Sequence, residues 1–480
     1  MMRTFTISPW IAAAVGLMLS SACGSASSDG PDGPAGASGG ALGSGSGGGG
    51  PAAGAPGTAG KGSGSAGGAS FCAGTGPVVT LPGPSGSTST TCTGSIAETK
   101  FLNALCTCNN ATVAGYLKTR GFDSRQGAFG SGTQGGGSVG INHDYAITTG
   151  YTDVGGSLTI AGPNSLSFAG FLEVGGNLSL AGAATVAGYT KVHRDARLGA
   201  AFTDLGPATV LGDLHSTSSV IALPLSVGGE RVGESVAVPK PCACEPSDLL
   251  DVGALVDDAR VHNDNASAGI DPKMFNLAVG DVRATLPCGR FYIEHMSGIG
   301  NIIVDVTGRV ALFVDGSLDA TGNIEFRLAP QAEIDIFVRD NLVLTGRSVF
   351  GNKDKPAATR VYVGGSGDVV LVGAAGFVGN VYAPRSLVTA VGYAEVYGSV
   401  FARDFVSPGY ANFVYDRAIQ DAGDGCKEPP PPPGTCTQCG SCTGGKACVD
   451  GSCGNCRTDA DCCSPLVCDG GTCSEPIEIR

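Results

Sequence analysis

Tryptophan is almost missing from this chain: the single Trp10 lies in the N-terminal apolar region. Histidine is scarce, with five in 480 residues, and only 15% of residues are charged. The Asn-Thr-Asp and Gly-His-Gly signatures of pectin hydrolases do not occur. Basic residues are outnumbered, 29 against 42 acidic, for a net charge of −13. That argues against a nucleic-acid partner, because backbone binding depends on Lys and Arg neutralising phosphates. Past Leu19 no segment approaches the ~20 continuous apolar residues of a membrane helix. What is present in quantity is glycine (79) and cysteine (19), with a positive mean hydropathy of +0.16. A wholly disordered chain would be poorer in Val, Ile and Leu, so a folded core is expected.

Arg3, the apolar run Ile11 to Leu19, and Leu19-Ser20-Ser21-Ala22-Cys23 together resemble a bacterial lipoprotein signal over residues 1–23. Ser20 stands where that pattern usually has Leu. Ser20 and Ala22 also suit an ordinary signal peptidase, which would leave Cys23 as a free terminal thiol. The lipoprotein resemblance implies acylation of Cys23 and membrane attachment through that lipid. Gly24-Ser25 give no Asp-after-Cys retention signal, which implies an outer-membrane or cell-surface location. Trp10 would leave with the signal. Residues 24–70 are a Gly/Ser/Ala/Pro tether with a typical end-to-end distance of roughly 40 Å. Matches to nucleophile-elbow and dinucleotide patterns inside it (Gly36 to Gly40, Gly45 to Gly50) follow no strand and carry no weight.

Residues 71–138 read as a small disulfide module with Cys72, Cys92, Cys106 and Cys108. A capping box, Ser95-Ile96-Ala97-Glu98, predicts a helix running towards Leu105. The repeats then set the fold class. Val154-Gly155-Gly156-Ser157-Leu158 recurs from Val174, with weaker echoes from Val192 and Val210, at spacings of 20, 18 and 18 residues. Phe313-Val314-Asp315-Gly316-Ser317-Leu318 is echoed from Phe337, Tyr362, Tyr382 and Phe401. Alternating apolar residues broken by Gly, Asn and Asp predict short strands and turns, and such coils bury their inner face only by stacking. We therefore expect a mainly β chain with a parallel β-solenoid of about ten coils, roughly 50 Å long at ~4.8 Å per coil. Residues 139–240 and 289–420 form its two arrays. A β-sandwich is the alternative. Residues 241–288 form a helical insertion opening at Ser247-Asp248-Leu249-Leu250 and covering an end or flank of the solenoid.

Leu286-Pro287-Cys288-Gly289-Arg290-Phe291-Tyr292, Gly379-Asn380-Val381-Tyr382-Ala383-Pro384, Tyr397-Gly398-Ser399-Val400 and Val414-Tyr415-Asp416 resemble an uncharacterised family of bacterial surface proteins. It occurs in myxobacterial-type lipoproteins and, more distantly, in pilus-associated and anchored surface proteins. The resemblance spans Val139 to Ile419 and implies a solenoid body without assigning any reaction. Residues 421–435 then form a Pro-rich spacer. Residues 436–473 carry ten cysteines whose spacing resembles knottin or Dickkopf-type modules, and 474–480 are a tail.

In an exported chain the eighteen cysteines other than Cys23 are expected as disulfides. They are Cys72, Cys92, Cys106, Cys108, Cys242, Cys244, Cys288, Cys426, Cys436, Cys439, Cys442, Cys448, Cys453, Cys456, Cys462, Cys463, Cys468 and Cys473. Zinc at Cys436-Cys439 or Cys453-Cys456 is the alternative. Asn263, Asp264, Asn265 and Asp271 gather oxygens suited to calcium, although such residues also dominate tight turns. His193 with Asp195, and His262 with Asp264, put an imidazole and a carboxylate at i and i+2. No third partner accompanies either pair, so no catalytic residue and no cofactor is assigned. The resulting expectation is a non-enzymatic, lipid-anchored surface protein acting as scaffold or adhesin. Its partner would be an envelope polymer or a protein, with the Cys-rich tail as a possible recognition head. The alternative is a polysaccharide lyase or hydrolase, which would need three or more carboxylates, or Arg or Lys with two carboxylates, converging in one groove of the coil stack.

Overall fold

The computed structural model describes residues 78–81, 90–93, 97–130, 135–147, 150–168, 170–222, 224–344, 348–372 and 377–421. Towards the C-terminus it describes 447–449, 452–454, 456, 462, 467–469 and 472–474. The signal, the tether, Cys23, Cys72, Cys426, Cys436, Cys439, Cys442 and Cys463 lie outside the described residues, as does the spacer beyond Asp421.

The Val-Gly-Gly-Ser/Asn-Leu repeat marks a corner of the coil. The strand Gly150–Val154 ends there, and Leu158–Ile160 begins the next wall. The polar residue before each Leu joins one coil to the next. Ser138 Oγ accepts the Ser157 N–H (3.1 Å) and Ser157 Oγ accepts that of Asn177 (3.0 Å). Asn177 Oδ1 accepts the N–H of Asp195 (3.2 Å), and Asp195 Oδ1 that of Asp213 (3.0 Å). Corner amides lie outside the strand ladders, so a short oxygen-bearing side chain supplies their partner. At another corner Gly150 and Gly170 (φ 140° and 148°) start the third wall. A Cβ on Gly170 would lie 1.8 Å from the Gly150 carbonyl oxygen, so only glycine fits.

Each full coil crosses three parallel walls. Leu178 lies between Leu158 and Ala196 on the first, Ala184 between Leu166 and Phe202 on the second, and Leu172 between Thr152 and Thr190 on the third. The first two walls form one 23-stranded sheet, and the third is tiled by nine- and four-stranded sheets that meet where Phe350 packs on Phe377 (5.5 Å). The stack thus has more coils than the ten expected.

Coil order departs from chain order. Leu105–Thr107 pairs with Val139–Ile141 on one side and with Val400–Ala402 on the other. Ala111–Val113 and Tyr116–Phe122 are likewise flanked by the 139–154 coil and the 400–416 coil. Residues 105–122 are therefore the middle coil of one continuous solenoid, not part of a separate module. The helix predicted to reach Leu105 is confined to Ala97–Lys100, because Leu105 already belongs to a strand. The first array winds outward from this coil to Arg231–Val232. The second starts at the far end, at Val282–Leu286, and winds back.

Residues 233–275 consequently return past the whole stack as a strap. Pro241 packs so closely on Gly140 that a Cβ there would meet its ring at 2.9 Å. Cys242 and Cys244 form disulfides with Cys106 and Cys108 of the middle coil. Further on, Lys100 Nζ donates to Asp248 O (2.5 Å) and Leu250 N–H to the Tyr382 hydroxyl (3.2 Å). The helix Val252–Val261 follows, one turn later than predicted, because Asp251 rather than Ser247 caps it: its carboxylate accepts the Ala254 N–H (3.0 Å). Arg339 pairs with Asp257 of this helix, and Asp315 holds Arg260 (2.5 Å) and Arg339 (2.6 Å). Asn265 brackets the Tyr292 backbone with bonds of 2.6 and 2.9 Å, and Phe275, fully buried, ends the strap.

Sequence explains where the strap lies. In the first array the first-wall strands alternate (Leu158-Thr159-Ile160), with one wet face. In the second they are longer and mostly apolar after their first residue: Arg309–Val314 and Glu333–Val338 bury both faces, with Asp335 buried against Arg360. Their outer aromatics form a covered ladder, Phe313–Phe337–Tyr362 at 4.9 Å steps, then Tyr382 and Phe401. Cys106 is the next residue in register after Phe401, so the bridge takes over where the aromatics end.

In the C-terminal part, two antiparallel hairpins pair Ala447–Val449 with Ser452–Gly454 and Val467–Asp469 with Thr472–Ser474. Disulfides Cys456–Cys468 and Cys462–Cys473 accompany them.

Candidate functional site

The outer face of the third wall sets exposed aromatic and charged side chains side by side. Six coils enter this wall through the same short pattern, glycine then an aromatic: Gly392-Tyr393, Gly409-Tyr410, Gly115-Tyr116, Gly150-Tyr151, Gly170-Phe171 and Gly188-Tyr189. Strand register places the six rings side by side. Successive centroids are 5.8, 4.8, 6.1, 6.2 and 6.4 Å apart. Tyr393 is 60% exposed, Phe171 55%, Tyr410 46% and Tyr116 42%, whereas the next residue in each of these strands is buried.

Two residues along each strand runs a parallel polar row, in register order Glu395, Asn412, Lys118, Asp153, Glu173 and Lys191. Arg120 joins it and forms a two-point ion pair with Asp153, one bond being 2.8 Å. Glu173 accepts from the Tyr151 hydroxyl (3.0 Å), meets His193 Nε2 at 2.9 Å and lies 3.8 Å from Lys191 Nζ. Arg120, Asp153, Glu173 and His193 line an open depression of about 190 Å³. The bond to His193 holds the Glu173 carboxyl below its ordinary range, against the opposing effect of burial. Burial, then the bond to Glu173, pushes the Tyr151 phenol up. The charges are thus paired with one another: Glu173 is a poor proton donor and Tyr151 a poor base.

The residues singled out from sequence are distributed differently. Only His193 reaches this face. Asp195 is turned to the corner ladder, and His262 bonds Asp258 (2.9 Å) on the strap. Asp264 accepts the Arg290 N–H, Asn265 brackets Tyr292, Asn263 accepts the Asn265 N–H and Asp271 that of Lys273. Asn263 and Asp271 thus serve local turns, while Asp264 and Asn265 fasten the strap to the Gly289–Ile293 strand. Among the described residues the one group of three or more metal-type ligand atoms close together is Cys456, Cys462 and Cys473, and all three are in disulfides. Cys288 is disulfide-bonded, and Cys448 faces Cys453 across a hairpin. Tyr382 and Tyr415 are buried in the solenoid, whereas Tyr393 and Tyr410 are exposed.

Residues 242–422 match the model of DUF7305, a domain of unknown function. The DUF7305 match starts at the first strap disulfide and ends just after the last coil, so it holds most of the strap and the second array. It excludes the middle coil 105–122, on which its last coil packs. No curated protein and no solved structure matches the chain. Among the described residues no helix is long and apolar enough to cross a membrane.

Proposed function

We propose that this chain is a non-enzymatic, exported surface protein, held at the envelope by lipid on Cys23, whose solenoid serves as a rigid recognition scaffold. The carrying observation is the third-wall face. It brings Arg120 together with Asp153 and Glu173, the set a polysaccharide-cleaving solenoid would need, but holds Arg120 on Asp153 and Glu173 on Lys191 and His193. A general acid for glycoside cleavage needs a raised carboxyl pKa, and a lyase base needs a group poised near the working pH. Glu173 and Tyr151 are shifted the opposite ways. The disulfides of strap and tail support an oxidising compartment, and the lipoprotein-like start supports the anchor. The myxobacterial-type surface lipoprotein resemblance is part of this proposal.

The second reading, a polysaccharide lyase or hydrolase, rests on the same depression. Incubating the purified protein with neutral and acidic polysaccharides and assaying reducing ends and unsaturated products separates the two. No turnover is expected. Product formation abolished by Glu173→Gln would overturn the non-enzymatic reading. For the anchor, Cys23→Ala is expected to release the protein from the membrane fraction, and persistence there would refute lipid attachment.

A further inference from the structure

We propose that the aromatic stripe and polar row of the third wall bind one extended, uncharged polysaccharide chain lying along the solenoid axis. This deepens the recognition reading above and rests on it. Three observations select that occupant. First, the stripe is periodic: one aromatic per coil over six coils, with centroid steps of 4.8–6.4 Å. Such a row matches a polymer of ring-shaped units repeating on a similar scale, and it crosses from the second array into the first without a break because the middle coil joins them. Tyrosine and phenylalanine offer an apolar body, and the tyrosines add a polar tip suited to a ligand that is part apolar and part hydroxylated.

Second, the flanking row supplies donors and acceptors at the same repeat. Asn412, Lys118, Asp153, Glu173 and Lys191 each stand two residues beyond a stripe aromatic; Asp153 is buried and held by Arg120, so at that coil the guanidinium is the group offered. Hydroxyl-rich sugars can take bonds from both kinds of group. Third, the charges cancel. Glu395, Asp153 and Glu173 share the row with Lys118, Arg120 and Lys191: Arg120 pairs with Asp153, Lys191 lies 3.8 Å from Glu173, and Glu395 pairs with the neighbouring Lys353 (3.7 Å). A balanced surface offers no field to attract a polyanion. An added peptide strand is also disfavoured, because the stripe lies on the face of fully paired strands rather than at a sheet edge.

The test is depletion of the full-length protein from solution by insoluble cellulose and by chitin, with heparin–agarose as the polyanion and reducing-end release measured in the same samples. Wild type is expected to bind cellulose or chitin with little dependence on salt. Tyr116→Ala/Phe171→Ala is expected to bind at least tenfold more weakly. The single variants Tyr410→Ala and Phe171→Ser, each at an exposed position, report the same loss in smaller steps if the double variant is poorly folded. Circular dichroism melts establish the folded state of each. Failure to bind either glycan, binding unchanged in all the variants, retention on heparin alone, or self-association through the stripe would overturn the proposal. Sugar release with stripe-dependent binding intact would instead overturn the non-enzymatic reading and leave the stripe assignment standing.

Discussion

Removing the two strap disulfides in turn should give strongly non-additive losses of stability. Cys106–Cys242 and Cys108–Cys244 each join residues 136 apart. In the chain-entropy account, closing a loop of that length restricts the unfolded state by about 5 kcal/mol. The second bridge lies two residues from the first at both ends, so it closes only a very small additional loop and adds about 2 kcal/mol. Either bridge alone still closes the long loop. Cys106→Ser/Cys242→Ser, or Cys108→Ser/Cys244→Ser, should therefore cost about 2 kcal/mol, while the quadruple variant should cost about 7 kcal/mol, well beyond the sum. Guanidinium unfolding followed by far-ultraviolet circular dichroism, without reductant, measures all three. Equal losses for one bridge and for both, or simple additivity, would refute the shared-loop reasoning. No loss in the quadruple variant would mean that strap and middle coil are not clasped.

Other expectations follow from particular side chains. Arg360 is fully buried, bonded to Asp335 at 2.6 and 2.8 Å and to Glu333 at 2.9 Å; Arg360→Met should cost about 3–5 kcal/mol in urea unfolding by stranding a buried carboxylate. Replacing Asp335 by Leu as well should recover part of that loss. Glu333 is held below its ordinary pKa of 4.5, chiefly by the Arg360 charge. Its folded pKa is thus lower than its unfolded one, so its contribution is present above about pH 4.5 and lost as pH falls through the folded value. Glu333→Gln should flatten the acid limb of a stability–pH curve; an unchanged limb would refute this assignment. Gly170→Ala places a methyl group against the Gly150 carbonyl in a backbone region side chains avoid, and should cost about 1–3 kcal/mol in the same unfolding assay.

The coil itself is legible in sequence because its corners repeat: the polar residue before each Leu of the Val-Gly-Gly motif is what the next coil's amide requires. The two arrays repeat different corners, however. Val154 to Leu158 turns from the third wall to the first, whereas Val314 to Leu318 turns from the first to the second. The repeats alone therefore do not show how the two arrays join. The middle coil was hidden for another reason: a single coil has no repeat of its own, and its partners on one side lie some 290 residues away. A usable clue was Cys106-x-Cys108 set against Cys242-x-Cys244. Spacing of i and i+2 puts both sulfurs of each pair on one face of an extended chain, ready to bridge as a ladder. The stripe has no signature in the sequence, because Gly-Tyr and Gly-Phe are ordinary pairs in a glycine-rich chain. Only strand register reveals that six of them align.

Hydroxyl-radical footprinting of the aromatic side chains, with and without saturating soluble cello- or chito-oligosaccharide, tests the recognition face most directly. Ligand should protect Tyr410, Tyr116, Tyr151 and Phe171 together, residues that are neighbours only if the middle coil joins the two arrays. Buried Tyr382 and Tyr415 should not change. Protection confined to one array, protection only in the strap or the Cys-rich tail, or no protection despite binding would contradict the account.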